Sequence, residues 1–357
     1  MIAIALGTRP EIIKMAPIIR ECERQNIEYF LIHSGQHYSF EMDLTFFNEL
    51  QLPRPKYHLN VGSGTHAEQT GNIMTGVEKV LLEDPPDLVL VQGDTNTVLA
   101  AALAASKLHH AIGHVEAGLR CFDRRLPEEI NRVVTDHISD YLFAPTTEAV
   151  KNLRHEGIDE HKIHLTGNTI VDAVQQNLEL SREKYDVAQR FGLEPGEYFL
   201  VTFHRPENVD SPTTLSELMN GLNSIHDEFS MPVVFPMHPR TKKQMTAMGV
   251  SPGSLHIIDP VGYLEFLQFE AHARCILTDS GGIQEESCIL GIPCVTVRKN
   301  TERPETLLVG ANILSGNVSG EMVEKTREML ERVSDWENPF GDGNASRYIV
   351  NILDHSG

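Results

Sequence analysis

Three carboxylates and one histidine stand where acid–base chemistry would need them. Asp94 closes Gln92-Gly93-Asp94, Glu116 follows the apolar run 112–115, and Glu128 stands directly behind Pro127. Proline suits the first turn of a helix. The positive end of that helix would favour an ionised Glu128. His204 ends a strongly apolar run, 198–203, and precedes Arg205. Paired carboxylates divide acid and base roles when their surroundings push their pKa values apart. Taken singly, each acid reads equally well as a helix cap or a surface charge. Three of them with a histidine on one rim call for a common explanation.

A second group suits an anion. In Thr278-Asp279-Ser280-Gly281-Gly282-Ile283-Gln284-Glu285-Glu286 a strand pattern gives way to two glycines and then to a helical pattern. Uncapped amides and the helix dipole at such a point favour a phosphate. Glu286, four residues past Gly282 on the same helix face, suits ribose hydroxyls. An ordinary capped turn would read the same way. Arg9 and Lys14 flank the start of a first helix behind Gly7-Thr8-Arg9-Pro10, where an anion would also fit, or they form a solvated pair. No G-x-G-x-x-G follows a strand and no P-loop occurs. The 17 histidines form no H-E-x-x-H, and His109-His110 point apart on a helix, so neither metal nor redox cofactor is expected. His33-Ser34-Gly35 lacks the G-x-S-x-G elbow of a hydrolase.

The elements that must position these residues are short runs at 2–6, 30–33, 88–91, 112–115, 141–143 and 163–165, then 198–203, 233–235, 255–258, 275–277 and 294–297. Each leads into a polar or glycine-rich turn and then a helical pattern. The runs are apolar throughout, as in strands buried on both faces of a parallel sheet. This predicts an α/β protein of two Rossmann-like doubly wound domains, and 357 residues suit two domains. The expected division is 1–168, rejoined by a C-terminal helix over 344–357 that Asn344 would cap, and 169–343. Ligands of open α/β sheets lie beyond the carboxyl ends of the strands. The unusual polar clusters fall there, including Ser34-Gly35-Gln36-His37, Glu116-Ala117-Gly118 and His238-Pro239-Arg240. Two such rims facing one another would make one central cleft. Ser63-Gly64-Thr65-His66 reads as a candidate flap.

Composition narrows the partners. Lys and Arg number 30 against 50 Asp and Glu, a net charge of −20. So acidic a protein is a poor general binder of nucleic acid or anionic membrane, and positive charge for an anion must be local. Cys22, Cys121, Cys275, Cys288 and Cys294 form no C-x-x-C, as expected of reduced thiols in a cytoplasmic protein. The first run is too short and lacks the basic flank of a signal peptide. The longest apolar stretch, 97–106, is far short of a membrane span.

With these residues in view, the sequence closely resembles the non-hydrolysing UDP-N-acetylglucosamine 2-epimerases, particularly their archaeal branch. The matching stretches are Gly7-Thr8-Arg9-Pro10-Glu11-Ile12-Ile13-Lys14, Gly93-Asp94-Thr95, His114-Val115-Glu116-Ala117-Gly118-Leu119-Arg120 and Pro127-Glu128-Glu129-Ile130-Asn131-Arg132. They continue through Gly167-Asn168-Thr169, His204-Arg205-Pro206-Glu207-Asn208, 278–286, Thr301-Glu302-Arg303-Pro304-Glu305 and Asn338-Pro339-Phe340-Gly341-Asp342-Gly343. The resemblance implies a glycosyltransferase-B fold, a homodimer, and interconversion of UDP-GlcNAc and UDP-ManNAc. It implies anti-elimination of UDP to 2-acetamidoglucal, then syn re-addition. The family's catalytic acids fall on Asp94, Glu116 and Glu128, and its histidine on His204. Its nucleotide contacts fall on Arg9, Lys14, Ser280, Gly281, Gly282 and Glu286. The loop 261–266, with Val261 and Phe266 at its ends, would hold uracil, and Arg205, His238 and Arg303 join the expected substrate-binding set. Many bacterial members have Arg where this chain has Pro206, and V-H-L-N-P where it has Met237-His238-Pro239-Arg240-Thr241. Glu68 precedes Gln69-Thr70 where substrate-activated bacterial members carry Arg, so activation by a second substrate molecule is not carried over. The segment before Pro127 is shorter than in those members. The alternatives are a hydrolysing epimerase releasing ManNAc and UDP, a UDP-2,3-diacetamido-uronate 2-epimerase, a retaining glycosyltransferase, and a UDP-sugar-binding sensor without turnover.

Overall fold

Aliphatic runs become strands here because helices cover both faces of each sheet, so inner strands such as 2–6, 88–92 and 275–278 are buried throughout. The computed structural model describes residues 1–36 and 40–354, and the side chains of these apart from 40–43. His37 of the second-strand cluster and the last three residues of the expected C-terminal helix lie outside the described residues. The chain forms two units, Met1–Gln176 with Phe340–Gly357, and Asn177–Pro339.

The first unit has strands β1 (Ile2–Leu6), β2 (Tyr29–His33), β3 (Tyr57–His58), β4 (Leu88–Gln92), β5 (Ala111–Val115), β6 (Tyr141–Ala144) and β7 (Ile163–Leu165), in the spatial order β3-β2-β1-β4-β5-β6-β7. The second has β8 (Phe199–Thr202), β9 (Val233–Pro236), β10 (His256–Ile258), β11 (Cys275–Thr278), β12 (Cys294–Thr296) and β13 (Asn312–Leu314), in the order β10-β9-β8-β11-β12-β13. Every pairing among the described residues is parallel. Both orders start from an inner strand, run outward on one side, and then restart on the other. Crevices at such switch points take ligands. In the first unit the switch lies between β1 and β4, in the second between β8 and β11.

Sequence patterning leaves out β3 and β13. The first is two residues long, and the second begins with a buried Asn312 whose amide bonds Gln284 and Thr306. The apolar stretch 97–106 lies in the helix Asn96–Lys107, whose buried alanines pack against the sheet. The division falls inside the helix Thr169–Lys184 rather than ahead of it at 169, and the chain returns at Phe340 rather than 344. The reason is hydrogen bonding. Asn168 N donates to the Phe340 carbonyl, and Asp172 accepts from the amides of Ala345 and Ser346, so the helix's first turns hold the returning chain. The C-terminal helix runs Ala345–Asp354, and Gln25 bonds Asn351 upon it. Residues 63–66, read as a flap, are the entrance to the helix His66–Glu83, where Thr65 and Glu68 form a capping box. No helix among the described residues is long and apolar enough to cross a membrane.

Candidate active site

The register of β4 on β5 pairs Gln92 with Val115, so the residues just beyond, Gly93-Asp94 and Glu116, leave the sheet side by side. Gly93 takes φ +86 and Glu116 φ +72. The second is unusual for a residue with a Cβ and marks a constrained turn. A Cβ placed on Gly93 would lie 3.8 Å from Glu116 Oε2. Glu116 is only 8% exposed. Lys14 Nζ meets its Oε1 at 2.5 Å, Asn168 donates to the same oxygen at 3.4 Å, and Gln92 donates to Oε2. Asp94 pairs with Arg132, and its carbonyl accepts from Asn131 Nδ2 at 2.8 Å. Lys14, expected on an anionic ligand, is thus engaged with a carboxylate of its own unit, because a buried acid needs a counter-charge.

Glu128 is exposed in the first turn of the helix Pro127–Ile138. Its neighbour Glu129 is the buried acid. It accepts from the amides of Cys121 and Phe122 at 3.1 and 3.0 Å, and from Arg132 at 3.1 Å. Arg132 therefore ties the helix that carries Glu128 to Asp94. Glu11 is a further acid that sequence reasoning passed over. It is buried, accepts from Gly7 N at 2.8 Å and Thr95 Oγ1 at 2.7 Å, and burial pushes its carboxyl up to about 7 against those bonds. Its place in the first turn of the first helix, just after Pro10, was the available signal. Arg9, in the same turn, lays its guanidinium 5.5 Å from the Phe46 ring centre.

In the second unit, Asp279 follows β11 and is fully buried. Its carboxylate accepts from the amides of His204 at 3.1 Å and Arg205 at 2.9 Å, and from Asn208 Nδ2 at 3.1 Å. His204 Nδ1 lies 3.2 Å from its other oxygen. Burial alone would raise the Asp279 carboxyl, but these donors hold it below the usual range. A carboxylate on Nδ1 fixes the imidazole's tautomer and turns Nε2 outward. The His204 side chain keeps 48% exposure. His204 and His238, ring centres 6.3 Å apart, line a pocket with Thr202, Pro260, Val261 and Phe266. His238 Nδ1 accepts from the Arg240 amide, and burial, with the charges of His204 and Arg240, lowers its pKa.

Ser280 precedes the helix Gly281–Leu290 and makes no side-chain cap. Gly281 and Gly282 have ordinary backbone angles, and a Cβ on either would meet nothing nearer than 3.9 Å. Neither conformation nor packing within the chain demands glycine there. Open space in front of a helix N-terminus suits an anion. Glu286, buried on the same helix, accepts from Tyr263 Oη at 3.1 Å. Glu270 is fully buried behind it, its carboxyl driven well above the usual range by burial and then by the Glu286 charge. Arg303 Nε pairs with Glu285 at 2.7 Å, and Arg205 approaches Glu302 at 3.8 Å. Glu302 is held at about 2, since the bonds from Arg298 outweigh burial. Among the described residues no group of three or more His, Cys, Asp or Glu side chains is placed to hold a metal ion.

Two parallel sheets of Rossmann order, each with polar turns beyond its strand ends, define an α/β protein of the glycosyltransferase-B type. A family model described as UDP-N-acetylglucosamine 2-epimerase matches residues 20–354. The chain is 54% identical over 359 residues to the UDP-N-acetylglucosamine 2-epimerase of Methanocaldococcus jannaschii, covering 99% of this chain and 98% of that one. The crystal structure of the M. jannaschii enzyme in complex with UDP-GlcNAc and UDP superposes with a TM-score of 0.87 over 99% of both chains, at 54% identity. A UDP-2,3-diacetamido-2,3-dideoxy-D-glucuronate 2-epimerase of Pseudomonas aeruginosa is 40% identical over 98% of each chain. The chain belongs to the UDP-N-acetylglucosamine 2-epimerase family.

Proposed function

We propose that this protein interconverts UDP-N-acetylglucosamine and UDP-N-acetylmannosamine without releasing free sugar. The C2 hydrogen of the hexose is not beside a carbonyl, so direct removal as a proton is unfavourable. Anti-elimination avoids the difficulty. A base takes the C2 proton while the C1–oxygen bond breaks, giving 2-acetamidoglucal and UDP. Syn addition then returns UDP to C1 and a proton to the opposite face of C2. Asp94, Glu116 and Glu128 share the proton transfers. His204, Arg9 and the amides of 280–282 carry the departing diphosphate, with Arg205, His238 and Arg303 completing its surroundings. Val261 and Phe266 receive the uracil, and Glu286 the ribose.

The observation that carries this reading is the pair Asp94 and Glu116, leaving adjacent strands with a cation on each, in a chain that matches the epimerase family nearly end to end. The M. jannaschii relative supports the choice of sugar. The test is incubation with UDP-GlcNAc in deuterated water. UDP-ManNAc should form with deuterium at C2, and epimer without solvent label would overturn the elimination route. The P. aeruginosa relative favours a second substrate, the 2,3-diacetamido uronic sugar. Faster turnover of that sugar would establish it, and free ManNAc among the products would establish hydrolysis.

A further inference from the structure

We infer that His114 is a positioning residue, a buried imidazole clamped between Asp136 and the Gly93 carbonyl that fixes the turn carrying Asp94. The inference rests on the epimerase reading for its effect on turnover, but its geometry stands within the first unit. The side chains of His114 and Asp136 are both wholly buried. His114 Nδ1 lies 2.6 Å from Asp136 Oδ1, and Nε2 lies 2.8 Å from the Gly93 carbonyl oxygen. A carbonyl oxygen only accepts, so Nε2 carries a proton. Asp136 Oδ2 accepts from Arg120 at 2.7 Å and from the Gly118 amide at 3.1 Å. Burial would raise the Asp136 carboxyl, yet the charges and bonds of His114 and Arg120 hold it below the usual range. The contact between Nδ1 and Asp136 is a second hydrogen bond, so the ring is held at both nitrogens.

The peptide held this way is the one that matters. Gly93 N donates to the Val115 carbonyl at 3.1 Å, and the Gly93 carbonyl is taken by the ring. The next residue is Asp94. Both ends of Gly93 are thus pinned to β5, at a left-handed backbone angle that glycine alone adopts without strain. Glu116 lies two residues beyond His114 on the same segment, so one side chain sets the spacing of both acids.

Two replacements separate this from a merely structural histidine. Gln places a donor near the position of Nε2, and Asn near that of Nδ1. With full-length protein and UDP-GlcNAc, His114→Asn should lose about 100-fold in kcat at nearly constant KM, the size of loss that a 1 Å misplacement brings. His114→Gln, which keeps the bond to Gly93, should stay within about tenfold of the parent kcat. Equal losses in both, or a loss confined to KM, would overturn the positioning role. Nitrogen-15 NMR of the ring is a second readout, its signal assigned by its loss in His114→Gln. The His114 ring should carry a proton on Nε2 that couples across the hydrogen bond to the Gly93 carbonyl, and an Nε2 without a proton refutes the clamp. A parent protein that turns over no UDP sugar would refute the functional reading, while the ring signal still decides the clamp.

Discussion

Behind β4 and β5, the first unit gathers Asp94 and Glu116 and pairs them with Arg132 and Lys14. Behind β8 and β11, the strands that flank its switch point, the second unit buries one carboxylate, Asp279, and sets it on two backbone amides, an asparagine and a histidine. Its neighbouring helix begins with two glycines and no side-chain cap. The strand order is shared, so the topology supplies the position and the residues supply opposite electrostatics. The first rim holds negative charge already balanced from within, which suits groups that exchange a proton. The second keeps amides and an imidazole available, which suits an anion arriving from outside.

Four measurements would break or sharpen that contrast. The largest effect belongs to Asp94→Asn. Turnover of UDP-GlcNAc should fall about 1000-fold as one acid–base group is lost, while UDP binding by calorimetry stays unchanged. Activity within tenfold of the parent would remove Asp94 from the reaction. Next comes Lys14→Met, which strands Glu116 in a buried site. Urea unfolding should show a loss of about 3 kcal/mol, and adding Glu116→Gln should recover most of it, because an uncompensated buried charge is the cause. In the second unit, Gly281→Ala should leave the unfolding midpoint in place, since its Cβ meets nothing inside 4.0 Å. Its UDP affinity should fall about tenfold to hundredfold as a charge-assisted contact is blocked. A stability loss with unchanged affinity would return that turn to an ordinary cap.

The smallest effect concerns Glu11. Its folded pKa is raised, so the stability it contributes is complete below about 4.5 and declines as pH rises through about 7. Glu11→Gln should flatten the pH dependence of unfolding across that window. An unaltered slope would mean that Glu11 is ionised throughout.

Much of the fold was legible because buried parallel strands have a simple signature. Runs such as 88–91 and 275–277 are apolar end to end, and each is followed by a glycine or polar turn. Two strands escaped notice because β3 is two residues long and β13 opens on an asparagine whose side chain is satisfied from the interior. The motifs marked the rim residues, and the glycines at 281 and 282 marked the turn. Partners were not legible. Lys14 meets Glu116 across 102 residues, and His204 meets Asp279 across 75. Nothing local announces either pairing.

The sequence by itself determined which segments are strands, which turns are polar, and which residue types stand at the strand ends, because burial and backbone freedom act over a few neighbouring residues. Tertiary structure alone decided which charge balances which. Strand order and register bring Gly93 beside Val115, Lys14 against Glu116 and His114 between Asp136 and Gly93. Electrostatic pairing depends on distance in space, and a parallel sheet makes neighbours of residues that the chain keeps far apart.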